Sequence, residues 1–249
     1  MKSGNALEAR PDFAMRPRRC ASVAAVLAFG LALAGCNDEA ASQPASPPAL
    51  VSAAQPVGAT GSFDFFVLAL SWSPSYCAAK GADANRFQCA ADRDLGFIVH
   101  GLWPQFEKGY PEFCAAREPD RVPNDLADSV KDIIPSRGLV GHQWRKHGSC
   151  TGLSQRDYLR TTRRAYERIA IPAALRDGER SQRLDATAVE AAFVAANAGL
   201  TEDGIAVSCD DGRVDEVRIC LTQELDFRPC PELDRRGCRA AGLLLPAAP

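Results

Sequence analysis

The chain has only three histidines among 249 residues, and its charges nearly cancel, with 29 basic and 31 acidic residues for a net charge of −2. A balance that close to neutral excludes a protein that coats nucleic acid by bulk electrostatics. No Cys-x-x-Cys pair occurs, so the usual thiolate-zinc and dithiol redox spacings are missing. There is no glycine-rich phosphate loop and no internal repeat. The apolar run Ala21–Gly35 spans only fifteen residues, too short to cross a bilayer comfortably. What the chain has in quantity is cysteine, ten residues in all, which argues against a reducing cytosol. Hydrophobic residues at 46% and charged residues at 24% fit a globular domain long enough to bury a sizeable core.

The N-terminus reads as an export signal over residues 1–35. Arg16, Arg18 and Arg19 precede the apolar run, and Met15 is an alternative start. Two cleavage readings compete. Ala32-Leu33-Ala34 offers the small-x-small pattern of ordinary secretion, whereas Leu33-Ala34-Gly35-Cys36 resembles a bacterial lipobox with lipid on Cys36. Cysteine parity favours the second. Cys20 leaves with the signal, and a lipidated Cys36 leaves an even eight: Cys77, Cys89, Cys114, Cys150, Cys209, Cys220, Cys230 and Cys238. The expected product is a membrane-tethered, periplasm-facing monomer. Removing the five basic and two acidic residues of the signal leaves 24 basic and 29 acidic residues, a net charge of −5. An anionic substrate must therefore be gripped locally.

Residues 36–60 hold Cys36 and an Ala/Ser/Pro-rich stretch broken by Pro44, Pro47, Pro48 and Pro56, the composition of a flexible linker. The catalytic domain is expected over residues 61–249. Phe63–Leu70 reads as a buried strand, and Leu95–Val99 as a second that ends at His100. Ser154 and Asp157 form a capping-box-like start to a helix over 155–169, with Tyr158, Leu159, Thr162, Tyr166 and Ile169 on one face. Asp185 opens another helix with Val189, Ala192, Phe193 and Ala196 inward. Ile205–Cys209 and Val214–Leu221 read as strands joined by a turn over Asp210–Arg213. Strands and helices mix without a βαβ rhythm, so the fold class is α+β.

The histidines are not scattered. His100 opens His-Gly-Leu-Trp-Pro, and His142 and His147 bracket a nine-residue segment ending in Gly-Ser-Cys. A helical zinc pair wants histidines four apart, but these two are five apart with Lys146 between them. Gln143, Lys146 and His147 do share a face, at i, i+3 and i+4. An amide, a fixed positive charge and a titratable imidazole suit a phosphate whose charge rises during reaction.

His100-Gly101-Leu102-Trp103-Pro104, the segment His142–Cys150 and the early Ser71–Cys77 together resemble the ribonuclease T2 family of secreted, metal-independent RNA endonucleases, over roughly Phe63–Cys238. The resemblance implies a disulfide-braced α+β fold with a central antiparallel sheet and packed helices. It implies RNA cleavage by transesterification through a 2′,3′-cyclic phosphate, with no cofactor and no metal. His147 would be the general base, His100 the general acid, His142 a phosphate ligand, and Lys146 the group that stabilises the added negative charge. Trp103 resembles a base-stacking platform, Gln105 a determinant of base choice, and Leu139 with Pro135-Ser136-Arg137 a further base pocket. The implied bridges are Cys77–Cys89, Cys114–Cys150, Cys209–Cys238 and Cys220–Cys230. Two positions depart from the family pattern: Gln143 replaces the usual glutamate, and Ser149 replaces a threonine. Gln143 is the one support for a rival reading, a weakened or silent RNA- or protein-binding lipoprotein of the same fold. A metal-dependent phosphoesterase is the other rival, disfavoured by the histidine spacing and by the absence of clustered carboxylates.

Overall fold

The computed structural model describes residues 61–176 and 180–248, so the signal, Cys36 and the linker to residue 60 lie outside the described residues. The first strand, β1 (Phe65–Trp72), is buried along its whole length. Its alternation sends Phe66, Leu68, Leu70 and Trp72 into the main core. Phe65 and Val67 pack on the other face against Cys220 and Cys230. A strand covered on both faces has no polar side to show, hence the unbroken apolar run in the sequence.

β1 lies between β2 (Phe97–Gln105) and β5 (Arg213–Leu221), antiparallel to both. β4 (Ile205–Asp210) pairs with β5 through Asp211-Gly212, whose φ angles of 45° and 69° are those of a hairpin turn that suits Asp-Gly. Two three-residue strands, β3 (Gln182–Leu184) and β6 (Leu243–Leu245), form a short ladder that joins β5 by one parallel bridge, Arg213–Leu244. Apart from that bridge the sheet is antiparallel. The helices are α1 (Ser73–Lys80), α2 (Arg86–Cys89), α3 (Asn124–Asp128), α4 (Arg137–Lys146), α5 (Gln155–Glu167), α6 (Ala186–Ala196) and α7 (Pro231–Arg235).

Four details differ from the sequence expectations. β2 does not stop at His100 but runs on to Gln105, because it is an edge strand and Pro104 can sit there without a ladder donor. The segment after Trp72 is the helix α1, started by Pro74 in its first turn. α5 has the expected Ser154 cap, accepting from the Asp157 amide at 3.1 Å, but ends two residues before Ile169. In α6, Ala196 is exposed. The inward place beyond Phe193 falls to Asn197, whose amide bonds the Ala170 and Phe193 carbonyls at 2.9 and 2.8 Å.

All four bridges implied by the resemblance are formed: Cys77–Cys89, Cys114–Cys150, Cys209–Cys238 and Cys220–Cys230. They are consistent with an exported protein.

Candidate active site

Two β-bulges set the site. Between β1 and β2, Gly101 faces Ala69 and Val99 faces Leu70, which leaves His100 as the extra residue. Strict alternation would put His100 and Trp103, three apart, on opposite faces. The bulge cancels that: Val99 and Leu102 both enter the core, while Trp103 packs with Val67 on the other face. His100 is thereby turned out of the core into the same cleft as Trp103. Between β4 and β5, Ser208 faces Glu216 and Cys209 faces Val214, so Asp215 is extra. Val214 and Val217 reach the core, and Glu216 and Arg218 stand on the side of His100.

α4 supplies the rest. Ser136 caps it, and Val140 and Trp144 bind it to the core. His142, Gln143, Lys146 and His147 line a cleft of about 350 Å³ together with His100, Trp103, Gln105, Tyr110 and Arg218. The helix ends at Lys146, and the chain tightens into a 3-10 turn over Gly148–Cys150. Gly148 is required there, since a Cβ would lie 2.6 Å from the Trp144 ring and 2.8 Å from that of Tyr158.

The loop that carries Tyr110 is tied to this turn by Cys114–Cys150 and by a bond from the Phe113 amide to the Lys146 carbonyl at 2.9 Å. Graded reductant is expected to abolish activity before the near-UV circular dichroism of the whole domain is lost. Simultaneous loss of both signals would contradict this coupling.

The three imidazoles occupy different environments. His147 is only 6% exposed, and its buried Nδ1 has no hydrogen-bond partner among the described residues, which leaves Nε2 as the nitrogen a substrate reaches. Burial, and then the charge of Lys146, push its pKa down to about 3, so the ring is neutral at ordinary pH. Below pH 6.5 the unfolded chain takes up a proton that the folded ring refuses until about pH 3. Stability held above pH 6.5 is therefore lost as pH falls through that interval, by up to roughly 1.4 kcal/mol per pH unit. His147→Asn is expected to flatten this part of a melting-temperature profile against pH; an unchanged slope would contradict it.

His142 is exposed, and desolvation, then Lys146, hold its pKa below the usual imidazole value. His100 directs Nδ1 to the Glu216 carboxylate. Glu216 is 4% exposed, and its other oxygen accepts from the Arg218 guanidinium at 2.7 and 2.9 Å. Burial disfavours the Glu216 carboxylate, yet the bond from His100 and the charges of His100 and Arg218 hold its pKa below the ordinary range. Lys146 lies 3.5 Å from Glu112.

Trp103 is the hub. His147 stacks on its ring at 5.3 Å, His100 meets it edge-on at 5.4 Å, and the Arg218 guanidinium lies 5.5 Å away. Its indole N–H donates to Gln143 Oε1 at 2.8 Å. An indole offers only a donor, so the Gln143 oxygen is committed and its NH2 is the end left for an anion. Gly101 makes room for this bond.

Of the sequence-predicted site residues, His100, Trp103, Gln105, His142, Gln143, Lys146 and His147 reach this one cleft, whereas Leu139 and Pro135-Ser136-Arg137 do not line it. Trp144 is core, its indole bonded to the Pro119 carbonyl at 2.9 Å. Ser136 caps α4, and Leu139 packs against the core. Sequence reasoning missed Tyr110, Glu216 and Arg218. Glu216 left a signal, one of two adjacent acids, with Asp215, inside a strand otherwise read as buried. Among the described residues, no group of three or more His, Cys, Asp or Glu is arranged to hold a metal ion.

A buried neutral imidazole and a carboxylate-bound one share this cleft, an arrangement able to take a proton at one group and give one at the other. Residues 63–230 match the Ribonuclease T2 family, and the chain belongs to that family. It is 47% identical over 111 residues, 45% of this chain, to a ribonuclease of Aeromonas hydrophila, and spans about half of that protein's length (48%). It is 30% identical over 194 residues to ribonuclease DdI of Dictyostelium discoideum, covering 72% of this chain and 82% of that one. The fold matches trichomaglin, described as an S-like ribonuclease, with a TM-score of 0.58 at 23% identity over 76% of this chain and all of the other.

Proposed function

We propose that this protein is a metal-independent endoribonuclease that cleaves RNA through a 2′,3′-cyclic phosphate. The observation that carries this reading is the meeting of His100 and His147 in one cleft in opposite electrostatic settings. His147, neutral and reached at Nε2, removes the proton of a ribose 2′-hydroxyl as its oxygen bonds phosphorus. His100, which has Glu216 as counter-charge when protonated, gives a proton to the departing 5′-oxygen as the P–O5′ bond breaks. Opening of the cyclic phosphate by water runs the two roles in reverse. His142 and the Gln143 amide hold phosphoryl oxygens, and Lys146 stabilises the charge that builds on them. Trp103 offers its ring as a platform and Gln105 its amide to a base.

The relatives' names support the same reading. The export signal over 1–35, lipid on Cys36, the tether over 37–60 and a periplasm-facing monomeric domain from residue 61 complete the proposal. Membrane fractionation tests the anchor, since Cys36→Ser is expected to free the protein from membranes. The catalytic proposal is tested with oxidised domain (Gly61 onward), RNA and EDTA. RNA is expected to be cut to ends bearing 2′,3′-cyclic phosphate, and DNA of the same sequence left intact. RNA that stays whole would favour the silent, binding reading; cleavage restored only by added metal would favour the phosphoesterase.

A further inference from the structure

We infer that Glu216, clamped by Arg218, is the positioning residue for His100: it fixes the ring with Nδ1–H on the carboxylate and Nε2 turned to the cleft. This inference rests on His100 being the general acid proposed above. Four observations converge on it. His100 is the extra residue of a bulge, so β-ladder geometry alone does not fix where its ring points. Its ring nitrogen Nδ1 is bonded to Glu216 Oε1. The side chain of Glu216 is 5% exposed and is held through its second oxygen by both Nε and a terminal nitrogen of Arg218. Arg218 in turn lies against Trp103, the ring that both catalytic histidines touch. Carboxylate, imidazole, indole and guanidinium therefore form one closed set.

The chemistry of a general acid gives this arrangement a purpose. A histidine that delivers its proton from Nε2 must hold the other proton on Nδ1, and a carboxylate there selects that tautomer. The same carboxylate is the counter-charge of the protonated ring before it gives its proton up. The site needs one. Lys146, Arg218, His142 and His147 are the cationic or basic groups that face His100 from α4 and β5. Gln143 is neutral at the place where the family carries a glutamate. Besides Glu216, the nearby acid on β5 is Asp215, whose carboxyl accepts from Ser208 at 3.2 Å and whose pKa is raised, chiefly by burial. Glu112 belongs to Lys146. Glu216 alone among them is hydrogen-bonded to the ring.

The test uses Glu216→Gln, which keeps the side-chain shape without the charge, and Glu216→Ala, which removes both. In the wild type, long-range 1H–15N correlation spectra are expected to show neutral His100 protonated at Nδ1. Glu216→Ala is expected to move that proton largely to Nε2, and so is Glu216→Gln, because the two Arg218 donors claim the amide oxygen and turn its NH2 toward Nδ1. On RNA, Glu216→Gln is expected to shift the alkaline limb of the kcat/KM profile to lower pH by about one unit, a tenfold loss on that side, with the acid limb unmoved. A purely structural Glu216 would lower activity equally at every pH and leave the His100 tautomer as it is; that result overturns the inference. The ring-nitrogen spectrum needs no turnover. Should the wild type fail to cut RNA, the proposed function falls while the spectrum still decides the His100–Glu216 pairing.

Discussion

Alanine at His147 or at His100 is expected to lower kcat on RNA by about 10²- to 10⁴-fold, the usual worth of a positioned proton-transfer group. KM should change far less, because His142, Lys146 and the Gln143 amide still hold the phosphate in either variant. The two losses differ in their pH signatures. Without His147 the remaining rate rises with hydroxide, since no side chain then takes the 2′-hydroxyl proton. Without His100 the remaining rate depends on the leaving group, so a substrate with an acidic leaving alcohol should recover part of it. The double variant should be little worse than either single one, because acid and base serve the same concerted step. Steady-state kinetics on a dinucleotide and on an activated ester separate these cases. Full rate in both single variants would remove the assigned roles.

Gly101→Ala is expected to be nearly as damaging, although residue 101 touches no substrate. A Cβ there would lie 2.0 Å from Gln143 Oε1, 2.6 Å from Gln143 Cδ and 2.5 Å from Trp103 Nε1. Gln143 is 2% exposed and cannot swing out to solvent. The added methyl therefore breaks the Gln143–Trp103 bond and leaves the buried Gln143 oxygen unpaired, at about 1–3 kcal/mol, with overpacking of similar size. Trp103 would shift, and His100 and His147 both rest on it. The expected outcome is a melting temperature lower by several degrees together with a rate loss of tenfold or more, in oxidised protein with the disulfides intact. Calorimetry and initial rates on the same preparation check it; wild-type values for both would show that the indole bond is dispensable.

Much of this fold is visible in the sequence where one physical signal acts alone. The apolar stretch Phe63–Leu70 reads as a buried strand, and Asp210–Arg213 as the turn between two strands. Ser154 with Asp157 marked the start of α5. The site was legible because its three histidines sit in two short segments, and no others compete with them. What stayed hidden depends on bulges and on distant pairing. No pattern in Val99-His100-Gly101-Leu102 announces that His100 is an extra residue, yet that one insertion puts His100 and Trp103 in the same cleft. Glu216 and Arg218 lie more than a hundred residues from His100 in sequence. Their role appears only when β1 brings β2 and β5 to its two edges. β6 was missed for a related reason: three leucines near the end of the chain gain strand geometry only from β3 and Arg213.

A DNA oligonucleotide carrying a single ribonucleotide, incubated with the oxidised domain in excess EDTA, tests the central chemistry most directly. The 2′-hydroxyl is then present at one position only, so one bond has a nucleophile within reach of His147. The result predicted here is a single cut on the 3′ side of that ribose, with a 2′,3′-cyclic phosphate on one product and a free 5′-hydroxyl on the other. Cleavage at deoxyribose positions, or no cleavage until a divalent metal is supplied, would contradict it.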